Sequence, residues 1–406
     1  MFSSKIQRHA NDKMWKRWWL FHATDFQSLM YPCFTICRFL GIFPYNINAS
    51  TFEASKLHYV LSAVIICVCC ALYLTIIHGI AISKIINFGD VTRNFGALSF
   101  YTFSGVIVII THILSSPRMH LLQTILEISS KLPKESYQKL SRLIHVKDVF
   151  GTILIVVQLC IYFSKTEMFE LTCSKVLILL FTMYLEMLIF QMNMLYINCV
   201  WVLKTCFKRI NDNLIHVQRL VVNNMKLSVH RSIQQKNQFL LIELKTLKKQ
   251  HLTVSKTVHM LNIIFSLQLL VTTVMSFSEI TFELYSYVVR WKDGVFISLD
   301  WQFLDVLLAS MTYYIMKIVL LVWVCETAKN QAKEISTTIH GVLNSTRDEQ
   351  IKVELQLFSL QTLHCKNTFL TKGLTVDATL LTAMAGSVTT YMLIMIQFLI
   401  TSHSCD

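Results

Sequence analysis

Seven long runs of mostly apolar residues constrain this chain more than any other feature of its sequence. A bilayer core of ~30 Å is crossed by a helix of about 20 such residues, so each run predicts a membrane-spanning helix. The chain has no proline after Pro133, which allows long unbroken helices from there to the C-terminus. The predicted spans lie at 57–86, 95–114, 146–165, 174–203, 257–289, 297–325 and 374–401.

The composition and the placement of the charges agree with a membrane protein. Only 15% of the residues are charged, against about 25% in a soluble domain. Most of the 37 Lys and Arg residues lie in the N-terminal arm and in the second, fourth and sixth connections. Basic residues accumulate on the cytoplasmic side, so we expect a cytoplasmic N-terminus and an extracellular C-terminus. The net charge of +13 therefore predicts contact with the anionic inner leaflet of the lipid bilayer and no nucleic-acid partner.

The spans and connections divide the chain into six parts, which together predict an all-α membrane protein. The segment 31–45 is too short to cross a bilayer and predicts an interfacial or re-entrant piece. In and beside the connections 208–253 and 333–373, apolar residues recur at helical spacing in four stripes, which predicts amphipathic cytosolic helices. The stripes are Phe207, Ile210, Leu214, Val217 and Val221; Leu240, Leu244, Leu247, His251 and Val254; Ile335, Ile339 and Val342; and Val353, Leu357, Leu360 and His364. The parts are 1–56, a cytoplasmic arm; 57–207, helices 1–4; 208–253, a cytosolic helical extension; 254–332, helices 5–6; 333–373, cytosolic anchor helices; and 374–406, helix 7 with a short extracellular tail.

Three other classes of protein fit this pattern less well. A G-protein-coupled seven-helix receptor needs an external N-terminus, although this alternative stays open. A transporter is expected to contain internal repeats and interrupted helices. The sequence shows no internal repeat, and the predicted spans contain no proline that would interrupt them. The sequence shows no paired carboxylates, metal-ligand spacing or nucleophile motif, so we expect neither an enzyme nor a bound cofactor or metal.

The last span carries the most specific motif. Thr390 and Tyr391 are followed by five apolar residues and then by Gln397 and Phe398. This pattern resembles the C-terminal signature of the insect gustatory receptors, as do the chain length and the inverted seven-helix topology. The resemblance implies a chemosensory, ligand-gated and non-selective cation channel in the plasma membrane of a sensory neuron. It also implies a homotetramer, or a mixed assembly with related receptors, in which the last helix of each subunit lines a central pore.

Four residues of the last helix are the predicted pore and gate. Tyr391, Ile394 and Phe398 follow at steps of three and four, so they share one stripe, with Gln397 beside it. A ring of Phe398 side chains could close a pore to water, and Gln397 amides could replace part of the hydration of a permeant cation.

The ligand is expected to bind among polar residues in the outer halves of the other spans. Ionisable groups inside a membrane are costly and usually face a cavity or a partner. Acidic groups beside aromatic faces suit a cationic amine, which favours a bitter-type tastant such as an alkaloid. Met392 stands where sweet receptors of the resembled family have glutamate, although a fructose-sensing or other sugar-sensing channel stays an alternative. The predicted ligand-binding residues are Tyr101, Tyr184, Glu186, Thr272, Ser276, Glu279, Trp301 and Asp305.

Overall fold

Helices form almost all of the structure, a computed structural model that describes residues 21–47, 51–88, 91–165, 173–224, 230–292 and 301–403. Two short antiparallel hairpins, β1–β2 and β3–β4, complete it. In chain order the elements are α1 (Phe26–Phe39), β1 (Tyr45–Ile47), β2 (Phe52–Ala54), α2 (Lys56–Ala81), α3 (Val91–Ile113), α4 (Ser115–Ser129), α5 (Lys134–Lys165), α6 (Cys173–Asn224), α7 (His230–Lys292), α8 (Trp301–Ser345), α9 (Glu349–His364), β3 (Leu370–Thr371), β4 (Leu374–Thr375) and α10 (Ala378–His403).

Every predicted span falls on a helix. Among the described residues, α2, α3, α6, α7, α8 and α10 are each long and apolar enough to cross a membrane. The third predicted span, 146–165, forms the second half of α5. The last span was predicted to begin too early, because residues 370–375 form the β3–β4 hairpin and α10 begins at Ala378. The hairpin turns at Gly373, whose φ of +87° is costly for any residue with a side chain.

The core of the subunit is built around α6. This helix packs most extensively on α8 and also contacts α7. Its membrane part is apolar on nearly every side, and Tyr196, Leu203 and Phe207 are fully buried. A helix that is apolar all round is stable only when other helices surround it, which explains the central position of α6.

The short helix α1 is a buried part of the bundle. Phe26, Leu29, Phe34 and Cys37 are almost completely buried, and α1 contacts α4, α5 and α6. Asp25 caps the helix by accepting a hydrogen bond from the Ser28 amide at 2.8 Å. The apolar face of the segment 31–45 is therefore covered by protein, and its assignment as an interfacial or re-entrant piece stays a prediction.

Three of the four predicted cytosolic stripes are confirmed as seams inside the subunit. The buried residues on α6, α7 and α8 are Phe207, Ile210, Leu214, Val217, Val221, Leu240, Leu244, Leu247, His251, Val254, Ile335, Ile339 and Val342.

The fourth predicted stripe, on α9, is not covered within this chain. Val353 and Leu357 are about half exposed, while Ile351, Leu355 and Phe358 form the buried face of the helix. Both faces of α9 carry apolar residues, so the sequence pattern alone did not decide which of them packs inside the subunit.

Candidate functional site

Three ionisable side chains from three helices lie together inside the membrane-spanning bundle. Glu186 comes from α6, Glu279 from α7 and Lys317 from α8. Glu186 Oε2, Glu279 Oε1 and Lys317 Nζ are buried, and none of these atoms has a hydrogen-bond partner among the described residues. Lys317 attracts both carboxylates electrostatically without forming a direct ion pair with either. Unsatisfied buried charges of this kind are costly, which makes the cluster the foremost candidate for a ligand-binding site.

Aromatic rings lie beside this cluster. Lys317 Nζ lies 5.2 Å from the centroid of the Tyr313 ring and 4.8 Å from that of Tyr314. The two rings contact each other at 5.2 Å and are both buried. A cation over an aromatic face is stabilised by the ring quadrupole, so this environment suits positive charge. Neither tyrosine is among the predicted site residues, although their spacing of four and three residues from Lys317 places them next to it on one helix.

The predicted hydroxyl residues precede Glu279 on α7, Ser276 by about one helical turn and Thr272 by about two. Thr272 and Ser276 are both buried on α7. The Ser276 hydroxyl donates to the Thr272 carbonyl at 2.8 Å, whereas Thr272 Oγ1 is buried with no partner in the described part of the chain. Thr272 is therefore available for a ligand, and Ser276 is already engaged with the helix backbone.

Tyr101 and Tyr184 have structural partners in the bundle. The Tyr101 hydroxyl lies 2.7 Å from Thr182 Oγ1, and its ring is stacked at 6.4 Å from that of Phe181. The Tyr184 hydroxyl donates to the Leu40 carbonyl at 2.9 Å, which joins α6 to the end of α1. These contacts indicate that both tyrosines hold helices together.

The last two predicted ligand residues lie near the start of α8. Asp305 is exposed near the start of α8, so it is not a buried partner for Lys317. Trp301 begins α8, but its side chain falls outside the described residues. Among the described residues no group of three His, Cys, Asp or Glu could hold a metal ion.

The last helix is the least buried of the candidate spans. Only 6% of its apolar window is buried against the rest of the subunit. Tyr391 is 52% exposed and Phe398 is 72% exposed, and Ile394 and Gln397 are exposed with them. The structure thus leaves all four predicted pore residues free to meet other molecules.

Small and polar residues form a stripe along the same helix. Thr382, Gly386, Thr390 and Gln397 are exposed and recur, with Ile394, at steps of four and three. Threonine hydroxyls can bond to their own helix, as Thr390 does to the Gly386 carbonyl at 2.9 Å. The side-chain amide of Gln397 makes no such hydrogen bond to its own helix in the described part of the chain. This face therefore suits a water-filled space better than lipid.

Two contacts join α10 to the helices beside it. The Tyr391 ring meets Phe277 of α7 edge to face, with centroids 5.9 Å apart. At the other end of α10, Asp377 Oδ2 lies 3.5 Å from Lys329 Nζ of α8. Sequence patterns gave no signal for either pairing, because each joins residues that are far apart in the chain.

Comparison with known proteins identifies the family. The family model described as 7tm Chemosensory receptor matches residues 30–402. The chain belongs to the seven-transmembrane chemosensory receptor family. This receptor is also similar to two Drosophila melanogaster proteins named as gustatory receptors. It is 31% identical over 147 residues to gustatory receptor 28b, which covers 34% of this chain and 30% of that one. It is 33% identical over 106 residues to gustatory receptor 28a, which covers 26% of this chain and 24% of that one.

Solved structures of an insect olfactory receptor share the fold of this receptor. The structure of olfactory receptor OR5 from Machilis hrabei superposes with a TM-score of 0.68 at 14% identity, over 92% of this chain and 98% of that one. The same protein in complex with eugenol gives a TM-score of 0.64 at 13% identity, with the same coverage. The receptor is therefore a multi-pass membrane protein with the insect olfactory receptor fold, and its matches to the named gustatory receptors span less than a third of either relative.

Proposed function

We propose that this receptor is a taste receptor that works as a ligand-gated, non-selective cation channel. The observation that carries this proposal is the face of α10, a membrane helix that is almost uncovered in one subunit and presents Thr390 and Gln397 among apolar residues. Repeated around an axis, this face would line an aqueous path for cations, with Phe398 at its narrow point.

A homotetramer, or a mixed assembly with related receptors, would cover the surfaces of α9 and α10 that are exposed in a single chain. Apolar side chains on the exposed face of α9 would pack on the adjoining subunit, since they have no cover in one chain. Val353 is 50% exposed, Leu360 53% and Leu363 72%. An apolar face of this kind on an extramembrane helix is typical of a protein interface.

A cationic tastant fits the Glu186–Glu279–Lys317 cluster better than a sugar does. Two carboxylates face one lysine, so a bound amine would balance the charge of the cluster, and Tyr313 and Tyr314 offer aromatic faces to it. The eugenol complex shows that Machilis hrabei OR5 binds a small organic molecule. We infer that this receptor takes a small amine, such as an alkaloid, in its own bundle.

The experiment is to record whole-cell currents from cells that express this chain alone, while alkaloids and sugars are applied. We expect cation currents in response to at least one amine. The substitution Glu279→Gln should weaken the response to a charged amine by several-fold and leave the response to a neutral ligand intact, with exposed Asp305→Asn as the matched control. A chain that reaches the cell surface and gives no current, either alone or together with related receptors, would contradict the channel proposal.

The orientation of the receptor is tested separately. Epitope tags at the two termini distinguish this proposal from a G-protein-coupled receptor. We expect antibody on intact cells to reach a C-terminal tag but not an N-terminal one, and the reverse result would favour the G-protein-coupled class.

A further inference from the structure

A groove on the outside of the bundle, between α5, α6 and α8, adjoins the candidate ligand site and shares Tyr313 and Lys317 with it. It encloses a cavity of about 420 Å³ with almost wholly apolar walls. The walls include Leu154, Phe190, Met194, Tyr313, Leu320 and Trp323. At Gly151 the helices come close, since a Cβ there would lie 2.5 Å from the Phe190 ring, so the groove is narrow at this point.

The length and direction of the groove match one leaflet of a bilayer. Along α8 it runs from Tyr313 to Trp323, which is about 15 Å at the helical rise. Half of a bilayer core is also about 15 Å. The Trp323 end lies where α6 and α8 leave the membrane and continue as the amphipathic extensions, so this end corresponds to a membrane surface.

Aromatic and cationic side chains gather at that end. Trp201 and Trp323 meet edge to face with centroids 6.1 Å apart, and Lys204 Nζ lies 5.7 Å from the centroid of the Trp323 ring. Arg142 lines the groove and is exposed, and Lys208 follows Lys204 by one turn. Tryptophan with lysine at one depth is typical of the membrane–water interface.

The cations at this end differ in how far they are neutralised. Lys147 forms an ion pair with Asp148 and donates to Asn198 Oδ1 at 2.8 Å. Arg142, Lys204 and Lys208 take part in no ion pair with the described residues. Their charge therefore remains available for an anion at the membrane surface.

We propose that this groove binds an anionic phospholipid of the cytoplasmic leaflet. One acyl chain lies between α5 and α8 as far as Tyr313, and Arg142 and Lys204 bind the phosphate and the anionic headgroup. Charge complementarity selects this occupant, because an apolar slot of one-leaflet depth ends at unpaired cations. The headgroup end, at Arg142, Lys204 and Trp323, lies away from Tyr313 and Lys317, the residues that the groove shares with the candidate ligand site. The assignment of the leaflet rests on the orientation proposed above.

The test uses the two groove tryptophans as reporters. The full chain is placed in nanodiscs, and a fixed fraction of the lipid is replaced by phosphatidylserine or phosphatidylcholine with brominated acyl chains, which quench tryptophan fluorescence on contact. The chain has seven tryptophans, so the groove signal is the part of the quenching that the variant with Trp201→Phe and Trp323→Phe loses. Nanodiscs present both leaflets alike, so the result does not depend on the orientation or on channel activity.

We expect brominated phosphatidylserine to quench the groove signal at lower mole fraction than brominated phosphatidylcholine does. Each cation near a membrane surface contributes about fivefold to anionic lipid binding. The variant with Arg142→Gln and Lys204→Gln should lose most of the preference for phosphatidylserine. The matched control with Arg219→Gln and Lys245→Gln, two exposed cations of the cytosolic extensions, should keep it.

Three results would overturn the proposal. Equal quenching of the groove signal by the two lipids would show an ordinary lipid-facing surface. Quenching that does not decrease at all when both tryptophans are replaced would place the lipid elsewhere. A preference for phosphatidylserine that is unchanged by Arg142→Gln with Lys204→Gln would remove the headgroup site.

Discussion

Phe277 of α7 and Tyr391 of α10 meet edge to face, with ring centroids 5.9 Å apart and planes inclined by 71°. Phe277 follows Ser276 directly and lies on the same helix as Glu279. Tyr391 belongs to the Thr-Tyr pair of the C-terminal motif. This pair of rings is therefore a direct contact between the helix of the candidate ligand site and the proposed pore helix.

The contact predicts coupling between ligand binding and opening. Edge-to-face aromatic pairs contribute about 0.5–1.5 kcal/mol beyond their buried area. We expect Phe277→Ala and Tyr391→Ala each to shift the ligand concentration for half-maximal current several-fold, and the double variant to shift it no further than the larger single effect. Val274→Ala, at an exposed position one turn earlier on α7, is the control and should shift it little. Fully additive shifts would show that the two rings act independently.

Phe398 is predicted to be the hydrophobic gate. Among the α10 side chains that the structure describes, it is the most exposed large apolar one, at 72%. Removing the ring should widen and wet the closed pore, so Phe398→Ala should raise the basal current several-fold at equal surface expression. Leu393→Ala changes another exposed apolar residue of α10 and should leave the basal current as it is. A normal basal current in Phe398→Ala would remove Phe398 from the gate.

Asp377 is predicted to stabilise the start of α10. Its carboxylate accepts hydrogen bonds from the Thr379 hydroxyl at 2.5 Å and the Thr379 amide at 3.1 Å, and it lies 3.5 Å from Lys329 Nζ. The Thr379 hydroxyl is the largest influence that holds the pKa of Asp377 below its ordinary value, with Lys329 acting in the same direction. Loss of a helix cap typically costs about 1 kcal/mol, so Asp377→Ala should lower the unfolding temperature of the purified receptor.

The acid dependence of this stabilisation has a definite sign. A lowered pKa in the folded state means that Asp377 stabilises the fold fully above its ordinary pKa of about 3.9 and loses this effect as the pH falls through the folded value. Asp377→Asn should therefore lose less stability than the unmodified receptor between pH 5 and pH 3 in thermal unfolding.

The control is Asp348, the comparable cap of α9, whose carboxylate accepts hydrogen bonds from the Gln350 and Ile351 amides. Asp348→Ala should cost similar stability without altering the currents. If Asp348→Ala and Asp377→Ala altered the currents equally, Asp377 would have no specific role at the start of the pore helix.

Much of the fold could be predicted, because a membrane-spanning helix is recognisable from a local run of apolar residues. In the described residues the seven apolar runs lie mainly on helices, and the periodic apolar residues of α6, α7 and α8 beyond the membrane became buried seams. On α9 the periodicity did not decide which face packs inside the chain, because both faces are apolar and only contacts with α7 and α8 bury Phe358 and leave Leu357 half exposed. For α1, the length of the segment excluded a span but did not distinguish a surface helix from a buried one.

The candidate site could be predicted only in part. Glu186 and Glu279 stand out in sequence because carboxylates are rare in apolar runs, and the structure brings them together with Lys317. Tyr101 and Tyr184 are likewise polar residues within apolar runs. Their hydroxyls, however, already form hydrogen bonds with Thr182 and with the Leu40 carbonyl. Such long-range partners depend on how the helices pack, which residue types and spacing do not encode directly.

The position of Gln397 in a water-filled pore is the most direct test of the channel. The measurement is the current through the receptor with Gln397→Cys before and after a charged thiol reagent is applied from outside. Met395→Cys, on the opposite side of the same helix, is the matched control, and the unmodified receptor reports on its native cysteines. We predict that the reagent blocks most of the ligand-evoked current in Gln397→Cys and leaves the other two unchanged. An unblocked current in Gln397→Cys, or equal block in Met395→Cys, would contradict a pore lined by this face of α10.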